Sequence, residues 1–211
     1  MMDANQKIAI LSYGSLVHRP IHSVTGAQLE ACDFEKTDIA FPVGLSVLNN
    51  TNRITAVIDN KEGVLKNIWV ATSLCPSFYD AMQNLAAREG AAYDPGLEEY
   101  DTRYIFYIKK KDTLWIIKND TVARQKISDE IINQLIEWAS QHEFTGILWT
   151  SCPIITLSSQ QLVERLLQDD ILLHNAQEYI AIMPDGPQTP LEKAIINGKD
   201  SLMKFLQGYK K

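Results

Sequence analysis

The stretch IAILSYGSL, residues 8–16, begins as an unbroken apolar run, Ile8-Ala9-Ile10-Leu11, and stops abruptly in Ser12-Tyr13-Gly14-Ser15. A short apolar run bounded by turn-forming residues predicts a buried strand that ends before Gly14. Its ending carries chemistry of its own. Glycine permits backbone conformations that other residues avoid and lets a ligand approach closely, and successive N–H groups in such a turn can converge on an anion or a developing oxyanion. Taken alone, the three residues Tyr13-Gly14-Ser15 read first as a plain strand-ending turn.

Working outward, the segments DIAFPVGLSVL, RITAVI and LKNIWVA between residues 38 and 71 are separated by Asn49-Asn50-Thr51-Asn52 and by Asp59-Asn60-Lys61-Glu62-Gly63. Such clusters are turn chemistry, so these strands are expected to pair as antiparallel hairpins. The period then changes. Phe78, Met82, Leu85 and Ala86 fall at helical spacing, with Ser77 as N-cap, Asp80 at N3 and Gly90 as the stop. Two more strands are predicted in DTRYIFYIKK and TLWIIKN. From Ser128 onward the character is mainly helical, with caps at Ser128 and at Ser158 or Ser159. Thr189-Pro190-Leu191-Glu192 is a capping box that opens a helix toward Phe205. Ile131, Leu135 and Trp138 form one apolar helix face and read as core.

This order predicts an α+β fold, a curled or barrel-like and mostly antiparallel sheet with packed helices. Residues 1–125 would form the core, and residues 126–211 a mainly helical C-terminal extension packed on it as one domain. Strict alternation of strand and helix with a glycine-rich phosphate loop is missing, which argues against a dinucleotide-binding or P-loop fold.

With 211 residues, 45% of them hydrophobic, the chain can build one sizeable core. Its net charge of -6 and lack of a basic run give no footprint for nucleic acid. No segment has the length of a membrane span and the N-terminus does not read as a signal peptide, so a soluble, cytoplasmic protein is expected. Cys32, Cys75 and Cys152, odd in number and irregularly spaced, read as reduced thiols. His18 and His22 are four residues apart, but Pro20 between them disfavours a helical metal pair, and no metal site is expected. Cys152, with His142 or His174 as partner, has no local signature of a thiol nucleophile.

A carboxylate gives the opening loop a second half. In Leu85-Ala86-Ala87-Arg88-Glu89-Gly90 the helix should end at Gly90 and leave Glu89 at its C-terminal end. There the partial negative charge of unpaired carbonyls favours the protonated carboxyl and makes its carboxylate a stronger base, an effect that Arg88 opposes. SYGSL at residues 12–16 and LAAREG at residues 85–90, in this order and separated by a strand-rich block, resemble the gamma-glutamylcyclotransferase family. In that family a strand runs into Tyr-Gly-Ser, and a helix ends in a catalytic Glu. The resemblance spans about residues 8–117.

The resemblance implies that Glu89 is the catalytic acid/base and that Tyr13, Gly14, Ser15 and Leu16 form the substrate-binding loop. YDTRYIFY at residues 100–107 is similar to the strand that follows the catalytic Glu in the glutathione-specific branch, which makes Tyr100 a further substrate-binding candidate, with Tyr93 as a weaker competitor. The reaction implied is cyclisation of a gamma-glutamyl amide or peptide, releasing 5-oxoproline and an amine, with no cofactor or metal. A small-molecule gamma-glutamyl compound is the expected partner. Gamma-glutamyl transfer to another acceptor, or a non-enzymatic binding protein on the same scaffold, are the alternatives. The sequence does not specify the substrate or the oligomeric state.

Overall fold

The computed structural model describes residues 6–19, 25–48, 53–118, 127–150, 154–155 and 157–209. Strand β1 (Ile8–Ser12) is buried along its whole length. Ile8 and Ile10 pack on one face of the sheet with Phe78, Ala81 and Leu85, whereas Ala9 and Leu11 pack on the other with Phe41, Trp149 and Ile180. Side chains alternate between faces along a strand, so a strand covered on both sides must be apolar at every position. The unbroken run at residues 8–11 is the sequence record of this central place.

The remaining strands are β2 (Glu35–Leu48), β3 (Ile54–Ile58), β4 (Val64–Thr72), β5 (Tyr93–Asp94), β6 (Glu99–Tyr100), β7 (Ile105–Lys111), β8 (Leu114–Lys118), β9 (Gly146–Thr150) and β10 (Ile154–Ile155). Eight of the ten form one sheet in the order β10-β2-β4-β1-β9-β7-β8, with β3 paired to β2, and β5 and β6 form a separate hairpin. Every pairing is antiparallel except that of β1 with β9. The fold is therefore α+β with a mostly antiparallel sheet, but the sheet is open. Among the described residues β3 and β8 do not pair, so the barrel-like expectation is corrected. A curl is nonetheless present: β2 carries a register shift between Lys36 and Ala40, and Ala56 of β3 comes against Gly14 at the end of β1.

Helix α1 (Phe78–Arg88) covers one face. Its N-cap Ser77 accepts a hydrogen bond from Asp80 N at 3.1 Å, satisfying one of the orphan donors of the first turn. Phe78 lies over Gly146, where a Cβ would sit 2.5 Å from the phenyl ring, so glycine in β9 is what lets the helix approach. The other face is covered by α2 (Asp129–Gln141), α3 (Ser159–Gln168), α4 (Asp170–Ala181), α5 (Pro190–Ile196) and α6 (Lys199–Tyr209). Leu135 of the predicted apolar face is fully buried, and Ile131 and Trp138 pack against the same core.

The structure adds detail in three places. Residues 126–211 are mainly helical and also supply β9, which lies between β1 and β7 in the middle of the sheet. The helix opened by the Thr189 capping box does not run to Phe205: it breaks at Asn197-Gly198, with Gly198 at φ 85°, and α6 starts again at Lys199. The segment between Gly90 and Tyr100, for which the sequence predicts no strand, holds the β5–β6 hairpin. The predicted turn at residues 49–52 lies outside the described residues. Among the described residues no helix is long and apolar enough to cross a membrane.

Candidate active site

The C-terminal end of α1 presents the acidic side chain. Gly90, at φ 74°, closes a Schellman motif in which Gly90 N donates to Ala87 O and Ala91 N donates to Ala86 O, both at 3.0 Å. Glu89 is thereby the C-cap residue, just where the helix must stop. Its carboxylate accepts a hydrogen bond from Arg88 Nη1 at 2.7 Å, and the two side chains are 19% and 9% exposed. Arg88 Nη2 donates in turn to Arg19 O, so the guanidinium ties the helix end to the segment that follows the Tyr13–Leu16 loop.

The loop meets this carboxylate in a cleft of about 420 Å³, its mouth included, lined by Ser12, Tyr13, Gly14 and Leu16 together with Arg88 and Glu89. Two residues of β3, Thr55 and Ala56, with Thr150 of β9 and Tyr179 of α4, complete the wall. Each element brings its side chain for a local reason. Tyr13 packs its ring against Phe41, with centroids 5.9 Å apart, and donates its hydroxyl proton to Thr150 O at 2.7 Å. Leu16 is buried in the core beneath α1. Ser15 enters the 3-10 turn Ser15–Val17 between them. Gly14 N and Gly14 O both lie 3.4 Å from Ser12 Oγ, which folds the turn onto the end of β1.

Gly14 is needed for a different reason from the one its sequence suggests. It is not among the residues with positive φ. A Cβ at this position would instead meet Tyr179 Oη at 2.7 Å and Ala56 Cβ at 3.3 Å, so the close approach that requires glycine is made by the protein's own side chains.

Of the predicted site residues, Tyr13, Gly14, Leu16 and Glu89 share the cleft, and Tyr100 does not line it. Tyr100 belongs to β6, its ring lies 5.0 Å from that of Tyr93, and its backbone is held by Gln83 through both N–H and C=O. The two tyrosines pair with each other across the hairpin, and neither is among the residues that line the cleft. Thr55, Thr150 and Tyr179 were not anticipated, since each is a single polar residue in a strand or helix of ordinary pattern.

Among the described residues no group of three or more His, Cys, Asp or Glu side chains could hold a metal ion. His18 is exposed, while Pro20 and His22 lie outside the described residues, as does Cys152. His142 stacks on Trp138, with centroids 4.8 Å apart, and His174 pairs with Glu178 on the surface of α4. Cys32 is exposed, whereas Cys75 is buried and its thiol is pushed up from its ordinary value by that burial.

The cleft therefore offers one carboxylate beside a guanidinium, two hydroxyl-bearing tyrosines and the backbone of a strand-ending loop. That set can exchange a proton and orient a zwitterionic ligand. No family model, curated protein or solved structure matches this chain.

Proposed function

We propose that this protein is a gamma-glutamylcyclotransferase-type enzyme that cyclises a gamma-glutamyl amide or peptide to 5-oxoproline and releases an amine. The observation that carries this reading is the convergence of Glu89 with Tyr13, Gly14 and Leu16 on one cleft. Two segments separated by more than sixty residues of chain and by three strands of the sheet meet there. The side chains that meet are those the reaction requires.

The α-amine of the substrate, with a pKa of about 8, is mostly protonated near neutrality and must lose a proton before it can attack. Glu89 accepts that proton. The nitrogen lone pair then adds to the gamma-glutamyl carbonyl carbon, closing the five-membered ring and placing negative charge on the carbonyl oxygen. As the carbonyl reforms, the bond to the leaving nitrogen breaks and Glu89 returns the proton to that nitrogen, while the second proton of the ring nitrogen passes through the same carboxylate to the departing amine, which leaves as the ammonium. Arg88 holds the carboxylate in one orientation throughout. The attack is intramolecular, so most of the work is conformational: the cleft has to hold the glutamyl chain folded, which can contribute several kcal/mol. Backbone N–H groups of the Tyr13–Leu16 loop would grip the glutamyl carboxylate or the carbonyl oxygen.

The test is to incubate the protein with gamma-glutamyl amino acids, gamma-glutamyl amines and glutathione, and to assay 5-oxoproline. Product is expected from at least one of them, and Glu89→Gln should lower its release by about 100-fold or more. Undiminished turnover by that variant would overturn the mechanism. Transfer of the glutamyl group to an added amine, without 5-oxoproline, would move the assignment to acyl transfer.

A further inference from the structure

Tyr179 reaches the cleft from α4, in the helical part of the chain that the cyclotransferase resemblance does not cover. Its hydroxyl oxygen accepts a hydrogen bond from Ala56 N at 2.8 Å. The same oxygen would lie 2.7 Å from a Cβ on Gly14. Two strands, β2 and β4, separate β3 from β1 in the sheet, so no ladder of hydrogen bonds joins β3 to the end of β1. The hydroxyl of Tyr179 lies between the two: it accepts from the backbone of β3 on one side and fills the space a side chain on Gly14 would need on the other. A rigid phenol anchored on a helix is a fixed spacer in a way that a solvated side chain is not.

We propose that Tyr179 is a positioning residue of the cleft. Its hydroxyl sets the separation between β3 and the Tyr13–Leu16 loop, makes glycine obligatory at position 14, and so fixes the width in which the glutamyl group is held. This inference rests on the cyclotransferase reading for its ligand, but its geometry belongs to the chain itself. It also gives the C-terminal helices a part in the site: α4 supplies one wall and holds the loop through a single oxygen atom.

A double-mutant cycle between residues 14 and 179 tests it, because the contact that glycine avoids is made by one removable atom. Gly14→Ala forces its methyl against the hydroxyl, and kcat/KM for 5-oxoproline release should fall about 100-fold, mainly through KM, because the displaced loop grips substrate and transition state alike. Tyr179→Phe deletes the oxygen and its bond to Ala56 N, and should raise KM by about fivefold.

In the double variant the nearest neighbours left to the methyl are Ala56 Cβ at 3.3 Å and the ring carbon at 3.9 Å. Its KM should therefore return to that of Tyr179→Phe alone. The rescue must be specific, so Tyr179→Phe should restore nothing to Glu89→Gln. A Gly14→Ala variant with unchanged KM would overturn the inference, as would a folded double variant as impaired as Gly14→Ala. If Gly14→Ala does not fold, recovery of folding in the double variant, read by thermal unfolding, supports the contact, and continued failure refutes it. A wild-type chain inactive on every gamma-glutamyl compound would overturn the cyclotransferase reading instead. The melting temperatures of the four proteins would then decide the Gly14–Tyr179 contact by themselves.

Discussion

Among the described residues, a buried ion pair and a partly buried one have the same chemistry and different surroundings. Lys66 of β4 meets Glu192 of α5 at 2.5 Å, with the side chains 7% and 3% exposed. The other oxygen of Glu192 accepts from Gln188 N at 2.8 Å and from Thr189 N at 2.9 Å, the latter as half of the capping box of α5. Both carboxylate oxygens are therefore occupied, and the pair docks a short helix onto the sheet. Arg88 and Glu89 are neighbours on one helix end, their carboxylate faces a cleft, and Arg88 Nε is buried with no hydrogen-bond partner among the described residues. Burying charge is costly unless every lone pair and proton is matched. The matched pair has the character of scaffold; the incompletely matched one, open to a cleft, has the character of a site.

Breaking the first pair should cost stability. Lys66→Met leaves a buried carboxylate without its cation, and unfolding in urea is expected to become easier by about 3–5 kcal/mol. Lys66→Met with Glu192→Gln should recover much of that loss, since the neutral amide oxygen can still accept from the α5 N-terminus. Breaking the second pair should cost turnover. Glu89→Gln is expected to lower 5-oxoproline release by about 10²–10⁴-fold. Its unfolding free energy should change by less than about 1 kcal/mol, because the Gln carbonyl can still accept from Arg88. The opposite pattern, an active Glu89→Gln and a stable Lys66→Met, would reverse the assignment of the two pairs.

Two glycines, one just beyond β1 and one in β9, sharpen the same contrast. Gly14 faces a hydroxyl in the cleft, whereas Gly146 faces the ring of Phe78 beneath α1, at 2.5 and 2.6 Å from where a Cβ would lie. Gly146→Ala overpacks a core with no flexible chain end to move aside, so a loss of about 1–3 kcal/mol is expected. Thermal unfolding checks this, and the turnover of the folded fraction should stay near wild type because Gly146 is remote from the cleft lining.

What the sequence made legible was local. The buried run of β1, the caps at Ser77, Ser128 and Thr189 and the stop at Gly90 each depend on residues within one turn of the feature, and each stands in the structure. What it concealed depends on contacts between distant segments. GILWT at residues 146–150 is a short, mostly apolar segment after a helix, and nothing in it marks the parallel pairing with β1 that puts it in the middle of the sheet. Tyr179 sits in a helix whose other faces explain its pattern, so its place against Gly14 could not be read from spacing. Tyr100 shows the reverse failure: a motif-like position was assigned a ligand, and a two-strand hairpin claimed its ring.

A third polar pair, exposed, completes the series and carries the smallest expected effect. Tyr79 of α1 is 45% exposed, and its phenol hydrogen-bonds Glu99 of β6. That bond, then desolvation, then the nearby negative charge of Glu99 hold the phenol proton, raising its pKa from 10 to about 12. Because the folded value lies above the unfolded one, this contribution to stability is fully present below about pH 10 and is lost as pH rises through about 12. At neutral pH Glu99→Gln should leave turnover unchanged and lower stability only slightly, as for other exposed pairs. In an absorbance titration of tyrosinate, the difference between wild type and Tyr79→Phe should isolate one phenol titrating near 12, and Glu99→Gln should bring it back toward 10. A Tyr79 that titrates near 10 in the wild-type protein would break the series, leaving the hairpin held to α1 by Tyr100 and Gln83 without this bond.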